Sequence, residues 1–173
     1  MEQSSISLLQ ETDIFRNLTP TEIGKVLMIA REVTFAEDDI VMKEGDFGDK
    51  LYIIRKGTVE VAKCLTMEGL GEGDDITTGK NKVFTRLDAS QHAVFGEVAL
   101  LEETKRTATI RAVTNCIFYE IRKDEFLQLA EEDHQLGYRI LSNLARIVSA
   151  RLRKADEDTI KLTTALSIIL KES

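Results

Sequence analysis

Apolar positions along the 173-residue chain follow a helical period, then short alternating runs, then a helical period again. The first helix is predicted over residues 19–31. Thr19, Pro20 and Glu22 form a capping box with proline in the first turn, and Ile23, Val26, Leu27 and Ala30 follow at helical spacing. Beyond it the pattern becomes that of strands. Residues 40–42, 51–54, 59–62, 83–87, 109–113 and 117–121 are short β-rich runs, broken by Gly45-Asp46, Gly48-Asp49, Gly57 and Thr114-Asn115. Many short strands with turn signals between them predict a barrel or a double-sheet roll.

Helical spacing returns at Asp124, first with Phe126, Leu127, Leu129 and Ala130, then from about His134 to Lys154. Leu136, Ile140, Leu144, Ile147, Val148 and Leu152 form a stripe wide enough to close the barrel and to meet a partner helix. A homodimer through residues 136–152 is therefore expected. The last stretch, ADEDTIKLTTALSIILKES, carries Leu162, Leu166, Ile169 and Leu170 and predicts one more amphipathic helix, a tail at 155–173. It is too short to span a membrane, and no other segment approaches the ~20 apolar residues that a span needs.

Composition narrows the classes of function. With 43% hydrophobic and 31% charged residues the chain reads as one soluble globular domain. A net charge of −7 and a pI near 5.0 argue against wrapping nucleic acid, which asks for a basic face. Arg139, Arg146 and Arg153 recur every seven residues and share one flank; in so acidic a chain they read as a solvated flank or as partners for a second subunit's glutamates. Cys64 and Cys116 make neither a disulfide framework nor a metal knuckle, and read as a loop thiol and a core residue. His92 and His134 lack a nearby cysteine or matched acid pair. The start, MEQSSIS, has neither a basic stretch nor an apolar run. A reducing cytoplasm is the expected setting, with no metal site and no catalytic residue.

The glycine- and acid-rich stretch between Cys64 and Lys82 fits neither of the two chemistries it suggests. From Gly73 to Gly79 the spacing is one residue too long for a P-loop, and Asn81 stands where serine or threonine would follow the lysine. Its acids lack the alternating ligands and closing glutamate of a calcium loop. A hairpin connection between two barrel strands is the expectation.

The segment FGEVALLEETKRTAT, residues 95–109, carries the chemistry. It sets Glu97 and Arg106 nine residues apart across a short apolar stretch. The planar fork of an arginine suits a delocalised phosphate anion, while a sugar hydroxyl needs an acceptor such as a glutamate. Gly96 lets the backbone approach a ligand closely. If residues 98–101 form one helical turn, its leading N–H groups point at the anion as well.

This segment resembles the phosphate-binding cassette of cyclic-nucleotide-binding domains: phenylalanine, glycine, glutamate, apolar residues, a short loop, then proline, arginine, a small residue, alanine and threonine. It departs at Lys105, where that family usually has proline. KEGDFGDKLYIIRKGTVEV, residues 43–61, resembles the strand, turn and strand upstream of the family's site. The resemblance implies an α+β, mainly β fold: an eight-stranded jelly-roll-like barrel at 32–121, flanked by the N-terminal helix and by C-terminal helices at 124–154, the whole cyclic-nucleotide-binding unit covering 1–154. It implies cyclic AMP or cyclic GMP as ligand, held by Phe95, Gly96, Glu97, Val98, Ala99, Arg106, Thr107 and Ala108. The base would stack under a lid drawn from Leu144, Ile147, Val148 and Arg151. Thr107 permits cyclic GMP without requiring it.

About twenty residues follow Arg153, against several dozen in the family's helix-turn-helix regulators. No direct DNA binding is therefore expected, and the chain reads as a freestanding sensor whose ligand moves its C-terminal helices toward a downstream protein. The alternatives are a ligand-free interaction scaffold and a remnant of a transcription regulator. Hydrolysis of the nucleotide would need a metal or general base that the cassette does not offer.

Overall fold

The computed structural model describes residues 2–64, 81–91, 93–102 and 104–172. The hairpin connection expected between Cys64 and Lys82 and the residue His92 fall almost wholly outside them. Eight strands form two four-stranded antiparallel sheets with helices at both ends of the chain. The first sheet has the order β1-β8-β3-β6, from Arg31–Phe35, Cys116–Arg122, Lys50–Lys56 and Val94–Phe95. The second has the order β2-β7-β4-β5, from Ile40–Met42, Thr109–Ala112, Thr58–Cys64 and Asn81–Asp88. The jelly-roll expectation holds.

The central strands of the first sheet, β3 and β8, are buried on both faces, which explains why they read as nearly unbroken apolar runs. Leu51 and Ile53 of β3 point to the helices, where they join Ile14, Ile23, Phe126 and Leu136. Tyr52 and Ile54 point the other way, between the sheets, where they meet Val59, Phe95, Ile110 and Phe118. A strand period of two thus divides one apolar run between two cores. The aromatic rings of that second core hold the rim of the site: Phe95 lies 5.2 Å from Tyr52 and 5.5 Å edge-on from Phe118.

Helix α1 (Glu2–Gln10) docks through the fully buried Leu9, and the Tyr119 hydroxyl donates to Ser5 Oγ at 2.7 Å. Helix α2 (Pro20–Ile29) starts on the expected capping box: the Glu22 N–H donates to Thr19 Oγ1 and the Thr19 N–H to Glu22 Oε2. It stops two residues earlier than the sequence suggested. Ala30 leaves the helix, and Arg31 already pairs with Glu120 across β1 and β8. Helix α3 is Val98–Leu101, as expected, and helix α4 is Lys123–Glu132.

Helix α5 runs without interruption from His134 to Glu172. This corrects the expectation of a separate tail helix at 155–173; the junction Lys154-Ala155-Asp156 has neither glycine nor proline to break it. The two halves differ in burial. Leu136, Ile140 and Leu144 are fully buried in the chain's own core, so they cannot also meet a second subunit as the expected 136–152 dimer face required. Residues 149–165 and 167–170 are exposed. At its base, Gly137 lets α5 cross α4 closely, for a Cβ there would lie 2.6 Å from the Ala130 Cβ and 3.0 Å from the Ala130 Cα. Lys25 to Asp133 at 2.6 Å and Arg139 to Glu22 at 2.8 Å tie the start of α5 to α2.

Candidate functional site

The turn from β6 into α3 and the segment before β7 face each other across a cavity of about 370 Å³. That is the lower end of the range for small-molecule sites. All eight predicted ligand-binding residues line it: Phe95, Gly96, Glu97, Val98, Ala99, Arg106, Thr107 and Ala108. Thr104, Lys105 and Arg151 also line it, and Met42, Val61, Thr85, Leu87, Ile110 and Lys154 complete the walls. These last six were not singled out from the sequence, since each looks there like an ordinary strand or helix residue.

Arg106 is fixed by backbone. Its Nη2 donates to the Lys50 carbonyl at 2.9 Å and its Nη1 to the Gly96 carbonyl at 3.3 Å. Its own backbone N–H donates to the Asp46 carbonyl at 2.7 Å, so the β2–β3 turn and the cassette are knitted together at this residue. Gly48 lies flat on the side chain; a Cβ there would sit 1.9 Å from Arg106 Nε. Gly96 has φ +76, and its Cβ would lie 2.7 Å from the Lys50 carbonyl oxygen and 2.8 Å from Arg106 Nη1. Glycine is thus required there by both conformation and space.

Burial pushes the Arg106 guanidinium below its ordinary value, while Tyr52, Asp49 and Glu97 pull the other way. An arginine so placed stays charged. Among the described residues no carboxylate lies within ion-pair distance of it. A half-buried cation whose protein partners are two carbonyls is an unneutralised charge at the wall of a cavity. Nearby, burial first and Glu120 second push the Tyr52 phenol up to about 12, so it remains neutral.

Glu97 is 6% exposed and caps α3 in a helical conformation. Its carboxylate is met by Arg151 Nη1 from α5, and Arg151 Nη2 donates to the Val94 carbonyl at 3.0 Å. Of the four lid candidates, only Arg151 lines the cavity. Leu144 is buried in the helix-side core, and Ile147 and Val148 pack against that core. The lid candidate that α5 brings to the cavity is thus Arg151, and Lys154 lines the cavity with it.

Two further expectations change in detail. The Ala99 and Leu100 N–H groups are spent inside the turn, on the Gly96 and Glu97 carbonyls at 3.2 and 3.1 Å. The short helix therefore offers fewer free donors to the cavity than its sequence suggested, and Arg106 is the cation on the same wall. Lys105, in the place of a proline, forms a β-bridge with Phe47, and its ammonium lies 5.9 Å from the Phe47 ring. Backbone pairing supplies the stiffness there. No helix among the described residues is long and apolar enough to cross a membrane, and no cluster of histidine, cysteine or acid side chains among them could hold a metal.

The jelly roll thus sets a guanidinium, Arg106, and a buried carboxylate, Glu97, at the walls of one cavity. The sequence model of the cyclic nucleotide-binding domain matches residues 32–133, more than half of the chain, and the chain belongs to that family. The human potassium/sodium hyperpolarization-activated cyclic nucleotide-gated channel 4 is 32% identical over 125 residues, 72% of this chain and 9% of the channel. The chain thus spans only a small part of the length of that relative. Among solved structures, a cyclic nucleotide-binding domain from Methylobacillus flagellatus superposes with a TM-score of 0.74 at 21% identity, over 91% of this chain and 81% of that one. The regulatory domain of Toxoplasma gondii PKA with cAMP gives 0.61 at 23% identity, over 74% of this chain and 44% of that one.

Proposed function

We propose that the chain binds a 3′,5′-cyclic nucleotide, cyclic AMP or cyclic GMP, and acts as a regulatory sensor that passes occupancy to α5. The observation that carries this reading is Arg106, half-buried at the cavity wall with, among the described residues, no carboxylate within ion-pair distance. In it, the guanidinium takes the exocyclic phosphate oxygens, Glu97 accepts from the ribose 2′-hydroxyl, and the base lies toward Thr107, Thr85, Arg151 and Lys154. A charge-assisted hydrogen bond contributes roughly 1.5–3 kcal/mol, and Arg106 can make two. The regulatory domain solved with cAMP, together with membership of the family, supports the ligand class. In this reading the nucleotide is bound and released unchanged, with Glu97 serving as a hydrogen-bond acceptor rather than as a base.

Arg151 supports the coupling. It joins α5 to Glu97 and to the Val94 carbonyl, so a ligand that hydrogen-bonds Glu97 acts on the same carboxylate that holds the helix. A cytoplasmic setting follows from the ligand class and the low cysteine content, and the downstream partner is a protein that meets the moved helix.

Calorimetric titration with cyclic AMP and with cyclic GMP, followed by chromatography for the linear nucleotide, tests the reading. Saturable binding with intact ligand is expected. Absence of binding to both would leave the barrel as an interaction scaffold, and appearance of the linear nucleotide would make it an enzyme. Hydrogen exchange with and without ligand tests the output: protection should extend from residues 95–109 into α5.

A further inference from the structure

We propose that the groove between the helical turn Asp13–Phe15 and α5 docks an acidic, amphipathic segment of a partner protein, seating an apolar side chain on Val94 and Ile147 and a carboxylate between Arg16 and Arg146. Two adjoining cavities of about 320 Å³ and 150 Å³ form the groove, and Asp13, Ile147 and Ala150 line both. Leu87, Ala93 and Val94 give the larger one an apolar floor. Arg16, Asn143 and Arg146 complete the smaller.

The basic end is organised from below by a buried amide. Asn143 is 5% exposed, and its Nδ2 donates to the Ile14 and Arg16 carbonyls at 3.2 and 2.9 Å. Its Oδ1 accepts from Arg146 Nη1 at 2.9 Å. One side chain thus pins the Arg16 backbone and holds the Arg146 guanidinium. Arg139 and Arg151 on the same helix each meet a carboxylate, Glu22 and Glu97. Among the described residues Arg16 and Arg146 meet none within ion-pair distance, although the chain carries a net charge of −7. Asp13 is the one acid among the described residues that line the groove.

Charge and spacing say what fits. Two guanidiniums at one small cavity suit a carboxylate, which accepts from both. Arg146 and Ala150 stand four residues apart on α5, about 6 Å at 1.5 Å per residue, so the acid of the segment and its apolar residue lie about one helical turn from each other. A free anion is the poorer occupant, because it leaves the apolar floor uncovered. Leu87 and Arg151 line both this groove and the nucleotide cavity, so a seated segment rests against the stretch of α5 that reaches the cassette.

The test is selection of a random peptide library on the full chain without nucleotide, with counter-selection on the double variant Arg16→Gln, Arg146→Gln. Glutamine keeps a donor for Asn143, so the double variant should melt close to the wild type. Enriched peptides should carry Asp or Glu three or four residues from Leu, Ile or Phe. In calorimetry a synthetic copy should bind the double variant at least tenfold more weakly, and Ala150→Glu, which puts bulk and a like charge on the exposed roof of the groove, should weaken it as much. No enrichment, enrichment undiminished on the double variant, or enriched peptides without an acid overturn the docking site. A peptide that binds as well with alanine in place of its apolar residue would leave a bare anion site and overturn the amphipathic partner. Because nucleotide is absent from every arm, failure here is distinct from failure of the ligand assignment.

Discussion

Replacing Arg106 by alanine separates the anion-clamp reading from a merely basic rim. The side chain makes two backbone hydrogen bonds, to Lys50 and Gly96, and presents its remaining donors to the cavity. Removing it therefore has two effects. Loss of one to two charge-assisted phosphate bonds costs about 2–4 kcal/mol of binding, a rise in Kd of roughly 30-fold to several hundredfold. Loss of the bonds to the two carbonyls, and of the packing against Gly48, lowers stability by about 1–3 kcal/mol. The comparison is Lys105→Ala one residue earlier, which removes an exposed ammonium that lies 5.9 Å from the Phe47 ring at the edge of the same cavity, and should change Kd by less than about threefold. Calorimetry with either cyclic nucleotide measures the first effect and thermal unfolding of the unliganded protein the second. Equal losses of affinity at the two positions, or an Arg106→Ala protein that is folded and binds within threefold of wild type, would refute the assignment of Arg106 to the phosphate.

Thr107→Ala should lower affinity for cyclic GMP more than for cyclic AMP, because Thr107 is exposed at the cavity on the side where the proposed pose puts the base; parallel losses would assign the hydroxyl to the phosphate instead. Gly137→Ala should destabilise by about 1–2 kcal/mol in urea unfolding, since the clash with the Ala130 backbone outweighs a helix-propensity gain of about 1 kcal/mol. A stabilised variant would mean that α4 and α5 separate freely at that crossing. The hydrogen bond from Lys25 holds the Asp133 carboxyl below its ordinary value near 3.8. A depressed carboxylate contributes stability above its unfolded value, and that contribution is lost as pH falls through and below it. Wild type should therefore lose stability between pH 6 and pH 3 more steeply than Asp133→Asn; coincident slopes would show that the pair does not form in solution.

The parts legible in the sequence are those where local chemistry and burial agree. Thr19, Pro20 and Glu22 specify the start of α2 by themselves, and the β3 and β8 runs announce strands because both of their faces are buried. The cassette was legible for another reason: its residues are contiguous, so one local segment brings all eight to one cavity. What was missed lies where the determinant is remote. β1 is Arg-Glu-Val-Thr-Phe, an edge strand with one wet face, and its apolar share is too small to stand out beside the end of α2. β6 is two residues long and owes its pairing to Tyr52 and Ile53. Leu144 looked available for the lid because a helical stripe records which face is apolar, never which half of it the chain's own barrel consumes. The continuity of α5 was missed for the opposite reason: a change in apolar pattern at residue 155 marks the end of the barrel, while the backbone has no cause to stop.

Arg151 is the residue on which the two halves of α5 converge. On one side it holds Glu97, a carboxylate 6% exposed whose position also defines the ribose end of the proposed site. On the other it flanks the first exposed leucine of the helix, Leu152. An ionised carboxylate has about four acceptor positions, so a sugar hydroxyl and a guanidinium can share Glu97, and ligand then reinforces the tie without expelling it. Coupling is reciprocal in free energy: whatever a nucleotide does to the position of α5, a partner that fixes α5 does in equal measure to nucleotide affinity. The sign follows from which arrangement of Arg151 the occupied Glu97 prefers. In the arrangement described here Arg151 already rests on Glu97 and Val94, so the helix stands against the cassette before any ligand arrives. A nucleotide stabilises that stance by completing the carboxylate's hydrogen bonds, and a partner that needs α5 lifted from the rim must work against it.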